Sequence, residues 1–362
     1  MKNRIYVCHT YYHVYVAFLK ECKIKRQAEK DLSEFQKADI LLSTMANDFG
    51  DLKSRMDQVG FFDEVIMFHE RAFQDFPELT ELKIDKGNLV ANMISRIKFC
   101  KLFGKLEEPF IPVNMKNYKD IYIFCDSDPI GYFLNYKKIK YHALEDGLNC
   151  IQFYDTARYD NKKAFRIKAL LSAWNLIFIQ NGYGKYCIDM EVNNISVLPY
   201  PCKKYVEEPR AALVEALTKE DKNIILNSFM KDISEIEDLI QHGPNKDNKI
   251  LVLTEPLCTL DIRERIFTDL TNEVGNGAQV FIKPHPRDIL DYESLFPQYV
   301  VFDGKFPMEM LNFIDGLRFK KVYSILTEVS AIQFADECVK LGDDYLDKYE
   351  APEIHRRNEH LK

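Results

Sequence analysis

The chain has 362 residues, with 56 acidic and 49 basic side chains for a net charge of −7; 46% of residues are hydrophobic and 13% aromatic. So much apolar material excludes wholesale disorder, and at about 150 residues per domain the length suggests two domains. A pI near 5.7 argues against a dedicated nucleic-acid binder.

The first stretch, Met1 to Phe18, lacks the apolar run and small-residue cleavage site of a signal peptide. The longest apolar run, Ala169 to Ile179, falls well short of the roughly 20 residues of a spanning helix. The expectation is a cytoplasmic protein. Nine scattered cysteines without a Cys-x-x-Cys pair suggest reduced thiols, not a disulfide framework or a zinc ribbon.

In chain order, Arg4–Cys8 reads as a strand and Tyr12–Cys22 as a helix. Strands follow at Ala38–Ser43, Glu64–Phe68, Asp120–Cys125 and Lys140–Ala143, separated by helical stretches at 51–59, 88–104 and 129–137. Such alternation indicates a parallel sheet with helices on both faces. Leu176–Gln180 and Ile195–Leu198 are candidates to close that sheet. The Pro-rich stretch Leu198–Cys202 and the charged segment after it read as a linker. The alternation then restarts: helical patterns over 210–230 and 232–241, strand Lys249–Leu253, a helix over 260–273 and strand Gln279–Lys283. Tyr299–Phe302, a short helix from Pro307, strand Lys321–Ile325 and a helix from Thr327 complete it. The expected fold is α/β, with two doubly wound domains at residues 1–200 and 201–362 and a ligand cleft between them.

Three features carry chemistry. Phe281-Ile-Lys-Pro-His-Pro-Arg-Asp288 places Lys283, His285 and Arg287 around two prolines at a strand end. On alternate residues, the three basic groups could converge on one phosphate, and a protonated His285 could hand a proton to a departing oxygen. Downstream, Ser324 or Thr327 could cap a helix whose free N–H groups favour phosphate, and Glu309 could accept from ribose hydroxyls. Third, Glu145-Asp146-Gly147 ends the strand Lys140–Ala143, and one of the two carboxylates could act as a general base.

Glu145-Asp146-Gly147, His285-Pro286 and the Thr327–Ser330 string, in this order, resemble the bacterial sialyltransferases of the two-Rossmann GT-B type. The opening Ile5–Ala17, the run Val252–Leu257 with Asp261, and Phe306-Pro-Met-Glu309 resemble one branch, glycosyltransferase family 52. The resemblance implies an inverting, metal-independent transfer of sialic acid from CMP-N-acetylneuraminic acid to a galactose-terminated glycan, such as lipooligosaccharide or capsular polysaccharide. The donor would be a substrate, and no cofactor is expected. Lys283, His285, Thr327 and Ser330 would hold the phosphate, with Pro286, Arg287 and Ser324 beside them, and Glu309 would bind ribose. His285 would assist departure of CMP. Asp146 or Glu145 would be the base, with Asp261 as a rival. Thr10, Tyr11, His13 and Gly147 would line the acceptor or sialyl pocket; His9 and His13 could equally be packing residues. The first domain would take the acceptor and the second the CMP donor.

Two other enzyme readings stay open. Asp126 and Asp128 form an Asp-x-Asp that could hold a metal under a nucleotide sugar in a GT-A-like enzyme, or serve as helix N-caps. A metal-dependent phosphohydrolase could draw on His9, His13, Asp126, His142, Asp146 and His285. A nucleotide-sugar sensor is the non-enzyme reading. Basic segments Lys83–Lys105 and Arg158–Lys168 could bring the protein to an anionic membrane surface or remain solvated, and a homodimer is compatible with the sequence.

Overall fold

A computed structural model describes residues 2–355, apart from Cys125, Leu148, 153–154, Asp232, Glu235 and 237–247. The chain divides into two compact units, Met1–Leu217 and Thr218–Lys362.

The first unit is built on a sheet of seven strands in the order β3-β2-β1-β4-β5-β6-β7. These are β1 Lys2–Cys8, β2 Asp39–Ser43, β3 Val65–Phe68, β4 Tyr118–Phe124, β5 Tyr141–Leu144, β6 Cys187–Val192 and β7 Tyr205–Glu207, every neighbouring pair parallel. Ile5, Val7, Leu41, Ile121, Ile123 and Ala143 fill its core. The chain winds from β1 to one side through β2 and β3, then crosses to β4 on the other. The switch point therefore lies between β1 and β4, where such sheets open a crevice at their carboxyl ends.

The second unit repeats this winding with five parallel strands in the order β10-β9-β8-β11-β12. They are β8 Lys249–Leu253, β9 Gln279–Lys283, β10 Val300–Val301, β11 Phe319–Ser324 and β12 Ala335–Lys340. All five residues of β8 are buried, as expected of a central parallel strand covered on both faces. Val252, Ile266, Phe267, Leu270, Val280 and Ile282 form its core.

Several elements depart from the sequence reading. The first helix, α1, runs Tyr11–Lys30, eight residues past the expected end. Its buried residues stop at Cys22, so the last two turns carry no apolar period to read. Leu176–Gln180 and Ile195–Leu198 are not strands. The N–H groups of Phe178, Ile179 and Asn181 go to Cys100 Sγ, Ser172 Oγ and Asp126 Oδ1 instead of a ladder; β6 and β7 close the sheet.

Because β7 pairs with β6, the Pro-rich stretch lies inside the first unit, and the division falls 17 residues beyond the expected 200/201 boundary. It coincides with a break in the expected 210–230 helix into Arg210–Glu215 and Lys219–Phe229. There Thr218 Oγ1 accepts from Asp221 N–H at 3.1 Å, and Asp221 returns the bond to Thr218 N–H at 3.0 Å. The expected helix over 232–241 lies largely outside the described residues.

No helix begins at Thr327. A bend leads instead into β12, an exposed edge strand of mostly polar residues whose weak alternation hid it. The seven described cysteines are free thiols; Cys125 and the Cys150 side chain lie outside the described residues. No described helix is long and apolar enough to cross a membrane.

Candidate active site

At the carboxyl edge of the first sheet, the loops after β1, β3, β4 and β5 and the start of α1 bring five titratable side chains together. His9 follows β1, and its Nε2 pairs with Glu70, which follows β3; its Nδ1 lies 3.4 Å from Asp128 Oδ2, after β4. Burial opposes charge on His9, but the facing carboxylates outweigh it and hold its pKa at about 9. Glu70 is fully buried, accepts from Ile130 N–H at 2.8 Å and is held below its usual pKa despite burial. Burial, with Glu70 and Asp146 nearby, pushes Asp128 up to about 7.

One turn into α1, His13 binds Asp146, which ends β5. His9 N–H donates to His13 Nδ1 at 3.0 Å, so that nitrogen is an acceptor and Nε2 carries the hydrogen given to Asp146. Burial lowers the His13 pKa, and the ring stacks on Phe124 with centroids 4.1 Å apart. His13 is therefore a neutral donor that aims the Asp146 carboxylate, which keeps part of its surface open. Gly147 turns the chain away at φ +98°, a backbone region that suits glycine.

Other expected groups of this unit have different roles. Glu145 is buried, accepts from Asn193 N–H at 2.6 Å and is pushed up by burial, so it fixes the loop. Thr10 Oγ1 caps α1 by accepting from His13 N–H at 3.2 Å, while Tyr11 is buried against Phe49.

The Asp-x-Asp pair is split. Asp126 accepts from Asn181 N–H at 2.7 Å and Tyr141 O–H at 3.2 Å, and burial raises it to about 6. Asp128 sits at the N-cap position of the helix Pro129–Lys137, but its side chain makes no cap bond and faces His9. His142 lies within β5 and pairs with Asp189 at 2.7 Å, away from the strand-end cluster. Among the described residues no group of three His, Cys, Asp or Glu could hold a metal ion.

In the second unit the His-Pro loop leaves β9 under tight control. Asp288 anchors it. Its carboxylate binds Arg263 at 2.7 Å, Tyr292 O–H at 2.8 Å and Thr254 O–H at 3.3 Å, and its N–H bonds the His285 carbonyl at 2.8 Å. His285 N–H donates to Thr254 Oγ1 at 3.2 Å, and His285 Nδ1 accepts from Arg287 N–H at 3.1 Å. The half-buried ring is lowered to about 4 by burial, then by the charges of Arg287 and Lys283. As it stands, His285 is a neutral imidazole offering an Nε2 hydrogen, not the protonated acid expected from sequence.

The three basic groups do not converge. Lys283 is buried, donating to the carbonyls of Pro284 at 2.7 Å and Gly304 at 3.2 Å, with its ammonium 4.2 Å from the Phe306 ring centre. Burial lowers it to about 7. It clamps two loops from beneath, while Arg287 is exposed. Glu309 stands in the first turn of a 3-10 helix, Met308–Phe313, raised by burial and close enough to feel the Lys283 charge.

The expected phosphate-binding N–H groups after β11 are taken. Buried Glu255, just beyond β8, accepts from Ile325 at 3.2 Å, Leu326 at 2.8 Å and Thr327 at 2.6 Å. Ser324 O–H is committed to the Thr327 carbonyl at 3.0 Å, and Ser330 N–H to Glu328 at 3.0 Å. Asp261 is exposed in the first turn of the helix Leu260–Val274. A 2.5 Å bond from Thr259 lowers its pKa.

Sequence reasoning missed Glu70, Thr254, Asp288 and the role of Glu255. Each stands at or just beyond a strand's carboxyl end, or three residues from His285, so position in the parallel sheet was the available signal.

The profile of glycosyltransferase family 52 matches residues 82–335, more than half of the chain. The chain belongs to glycosyltransferase family 52. Among solved structures, this glycosyltransferase is similar to an α/β-galactoside α-2,3-sialyltransferase from Photobacterium phosphoreum. That match has 13% identity and a TM-score of 0.51, covering 93% of this chain and 90% of that one. It is also similar to a Vibrionaceae Photobacterium sp. 2,6-sialyltransferase in a ternary complex with CMP and lactose. Here identity is 9% and the TM-score 0.53, over 93% of this chain and 71% of the other. At such identity these are likenesses of fold, and the fold is the GT-B type of two parallel-sheet α/β domains. An uncharacterised protein of Haemophilus influenzae is 27% identical over 115 residues, 30% of this chain and 35% of that protein. The match thus spans about a third of that relative's length.

Proposed function

We propose that this glycosyltransferase moves sialic acid from CMP-sialic acid to a galactose-terminated glycan, with inversion and without a metal. Family membership supports transfer of a sugar. Two neighbours of the same fold carry sialyltransferase names, and one of them holds CMP and lactose. The observation that carries the mechanism is the His13–Asp146 pair, a part-exposed carboxylate aimed by a neutral histidine at a strand end.

In the proposed reaction, Asp146 takes the proton of a galactose hydroxyl as its oxygen bonds the anomeric carbon of the sialyl group. The bond from that carbon to the CMP phosphate oxygen breaks in the same displacement, and the electron pair leaves with CMP. The His285 Nε2 hydrogen and the Arg287 guanidinium face the charge that develops there. A phosphate at this loop would raise the His285 pKa, since a nearby anion favours imidazolium, and so prepare it to yield a proton. Glu309 would receive ribose hydroxyls. The CMP leaving group carries one phosphate, whose charge a histidine and an arginine can meet without a divalent ion. The first unit would thus take the acceptor and the second the donor. Free thiols at Cys8, Cys22 and Cys187 fit a reducing compartment and so support the proposal of a cytoplasmic reaction.

Thermal-shift measurements with CMP, CDP, UDP and GDP, followed by transfer from CMP-sialate to lactose, test the reading. Selective stabilisation by CMP, with transfer that persists in EDTA, is expected. Selective stabilisation by UDP would overturn it.

A further inference from the structure

The helix Phe165–Ala173 turns its apolar side to solvent. Phe165 and Leu171 pack against the cluster of Ala157, Ile177 and Ile179; the buried Ser172 donates its hydroxyl to the Tyr183 carbonyl at 3.1 Å. At 3.6 residues per turn, Ile167, Leu170 and the capping Trp174 share one stripe roughly opposite Ser172. They are 62%, 49% and 59% exposed. A surface helix ordinarily carries polar residues there.

The surrounding charge is one-sided. From Asn161 to Trp174 the chain carries Lys162, Lys163, Arg166 and Lys168 and no acidic residue. Asn161 is tied to Arg96 of the neighbouring helix Leu89–Glu107. Met93 and Ile97 of that helix pack on the same cluster, while its Leu89, Val90 and Ile94 stay exposed; at this end charge is mixed, since Asp85 accepts from Asn92 and Lys83 lies over the rings of Phe73 and Phe99. The apolar run Ala169 to Ile179 is thus divided in use: Ile177, Phe178 and Ile179 are core, whereas Leu170 and Trp174 look outward. Arg158 lies over the rings of Phe165 and Tyr200, each at 4.4 Å, and belongs to the scaffold.

We propose that this face docks the protein on an anionic lipid surface, with Ile167, Leu170 and Trp174 entering the acyl boundary and the lysines meeting lipid phosphates. Charge selects this occupant. A chain of net charge −7 is repelled as a whole by an anionic bilayer, so association needs a local cationic patch such as this one. Protein interfaces are depleted of lysine, yet three of these four cations are lysines, whose long stems can lie along apolar surface while the ammonium stays wet. Tryptophan favours the same boundary, with an apolar ring and one N–H. Nine residues make a helix that lies on a membrane, not one that spans it.

Trp174 is the only tryptophan of the chain, so its emission reports on this face directly. The full-length protein is mixed with phosphatidylcholine vesicles, with and without phosphatidylglycerol. With the anionic lipid, Trp174 emission is expected to shift to the blue, resist acrylamide and travel with vesicles on flotation, less so in high salt. Leu170→Glu should lower partitioning about tenfold or more, and Lys162→Glu with Lys163→Glu roughly fivefold per cation. Far-UV circular dichroism confirms that these exposed changes leave the fold intact. No shift and no flotation with phosphatidylglycerol overturns the proposal. So does equal binding to phosphatidylcholine alone, or a blue shift without vesicles that rises with protein concentration and doubles the light-scattering mass, which assigns the face to a second copy. Transfer to the free acceptor lactose, unaffected by Leu170→Glu, reports separately on the catalytic reading.

Discussion

The two units wind their strands alike but spend their charge differently at the strand ends. In the first, charged side chains satisfy one another: His9 with Glu70 and Asp128, His13 with Asp146. Two carboxylates, Asp128 and Asp146, remain partly open. In the second, Asp288 pairs with Arg263 beneath the His-Pro loop, but Lys283 and Glu255 are tied to main chain, Lys283 to two carbonyls and Glu255 to three N–H groups. What remains there is the His285 ring, Arg287 and Glu309. Paired side chains suit the proton uptake proposed for Asp146. A backbone cradle already filled with the protein's own anion suits a loop whose shape is set before a phosphate arrives.

The largest expected effect separates the two sites by chemistry. Asp146→Ala and His285→Ala should each lower turnover about 100- to 10,000-fold in the lactose assay. Only His285→Ala should also weaken the thermal shift by CMP, and equal loss of CMP binding in both variants would erase the division of labour.

Glu255→Ala strands three N–H groups. It should destabilise the second unit by about 2 kcal/mol or more, read from hydrogen exchange in β8 and β11. Gly131→Ala is the counterpart in the first unit. A Cβ there would lie 1.9 Å from the Asp126 carbonyl oxygen, so a loss of about 1–3 kcal/mol in urea unfolding is expected.

The smallest effect is one of pH. His9 is raised to about 9 in the folded chain, so its contribution is full below its ordinary 6.5 and is lost as pH rises through 9. Lys283 is lowered to about 7, so between there and its ordinary 10.5 the unfolded chain binds more protons and stability grows with pH. From pH 7 to 9, protection factors, corrected for the intrinsic pH dependence of exchange, should fall in β1 and β4 and rise in β8 and β9. His9→Gln and Lys283→Met should each flatten one slope; slopes of one sign in wild type would show the charges are not held as described.

Period and punctuation carried most of the fold. Gln279–Lys283, Lys249–Leu253 and 129–137 are observed with the expected bounds, because an apolar run or proline start marks each. Legibility failed where a residue's partner is remote. Ile177 to Ile179 have a strand's composition, but the N–H groups of Phe178 and Ile179 go to side chains that no local pattern names. For the site, the acidic-acidic-Gly and His-Pro motifs placed Asp146 and His285 at strand ends. That Lys283 would turn under its own loop, and that Glu255 would fill the N–H groups meant for phosphate, depends on contacts across some 20 and 70 residues.

The position of β1 has a consequence for synthesis. This strand is made before the other described strands of its sheet yet stands among the middle ones, and its pairing with β4 joins Arg4 to Asp120. The bond from His13 to Asp146 spans 133 residues. Until β4 has been made, the segment bearing His9 and His13 must wait with its apolar strand unpaired on one side. Closing such distant contacts is slow. Nascent chains stopped before residue 118 should therefore be the aggregation-prone species, and a chaperone that shields residues 2–30 should raise the yield of folded protein.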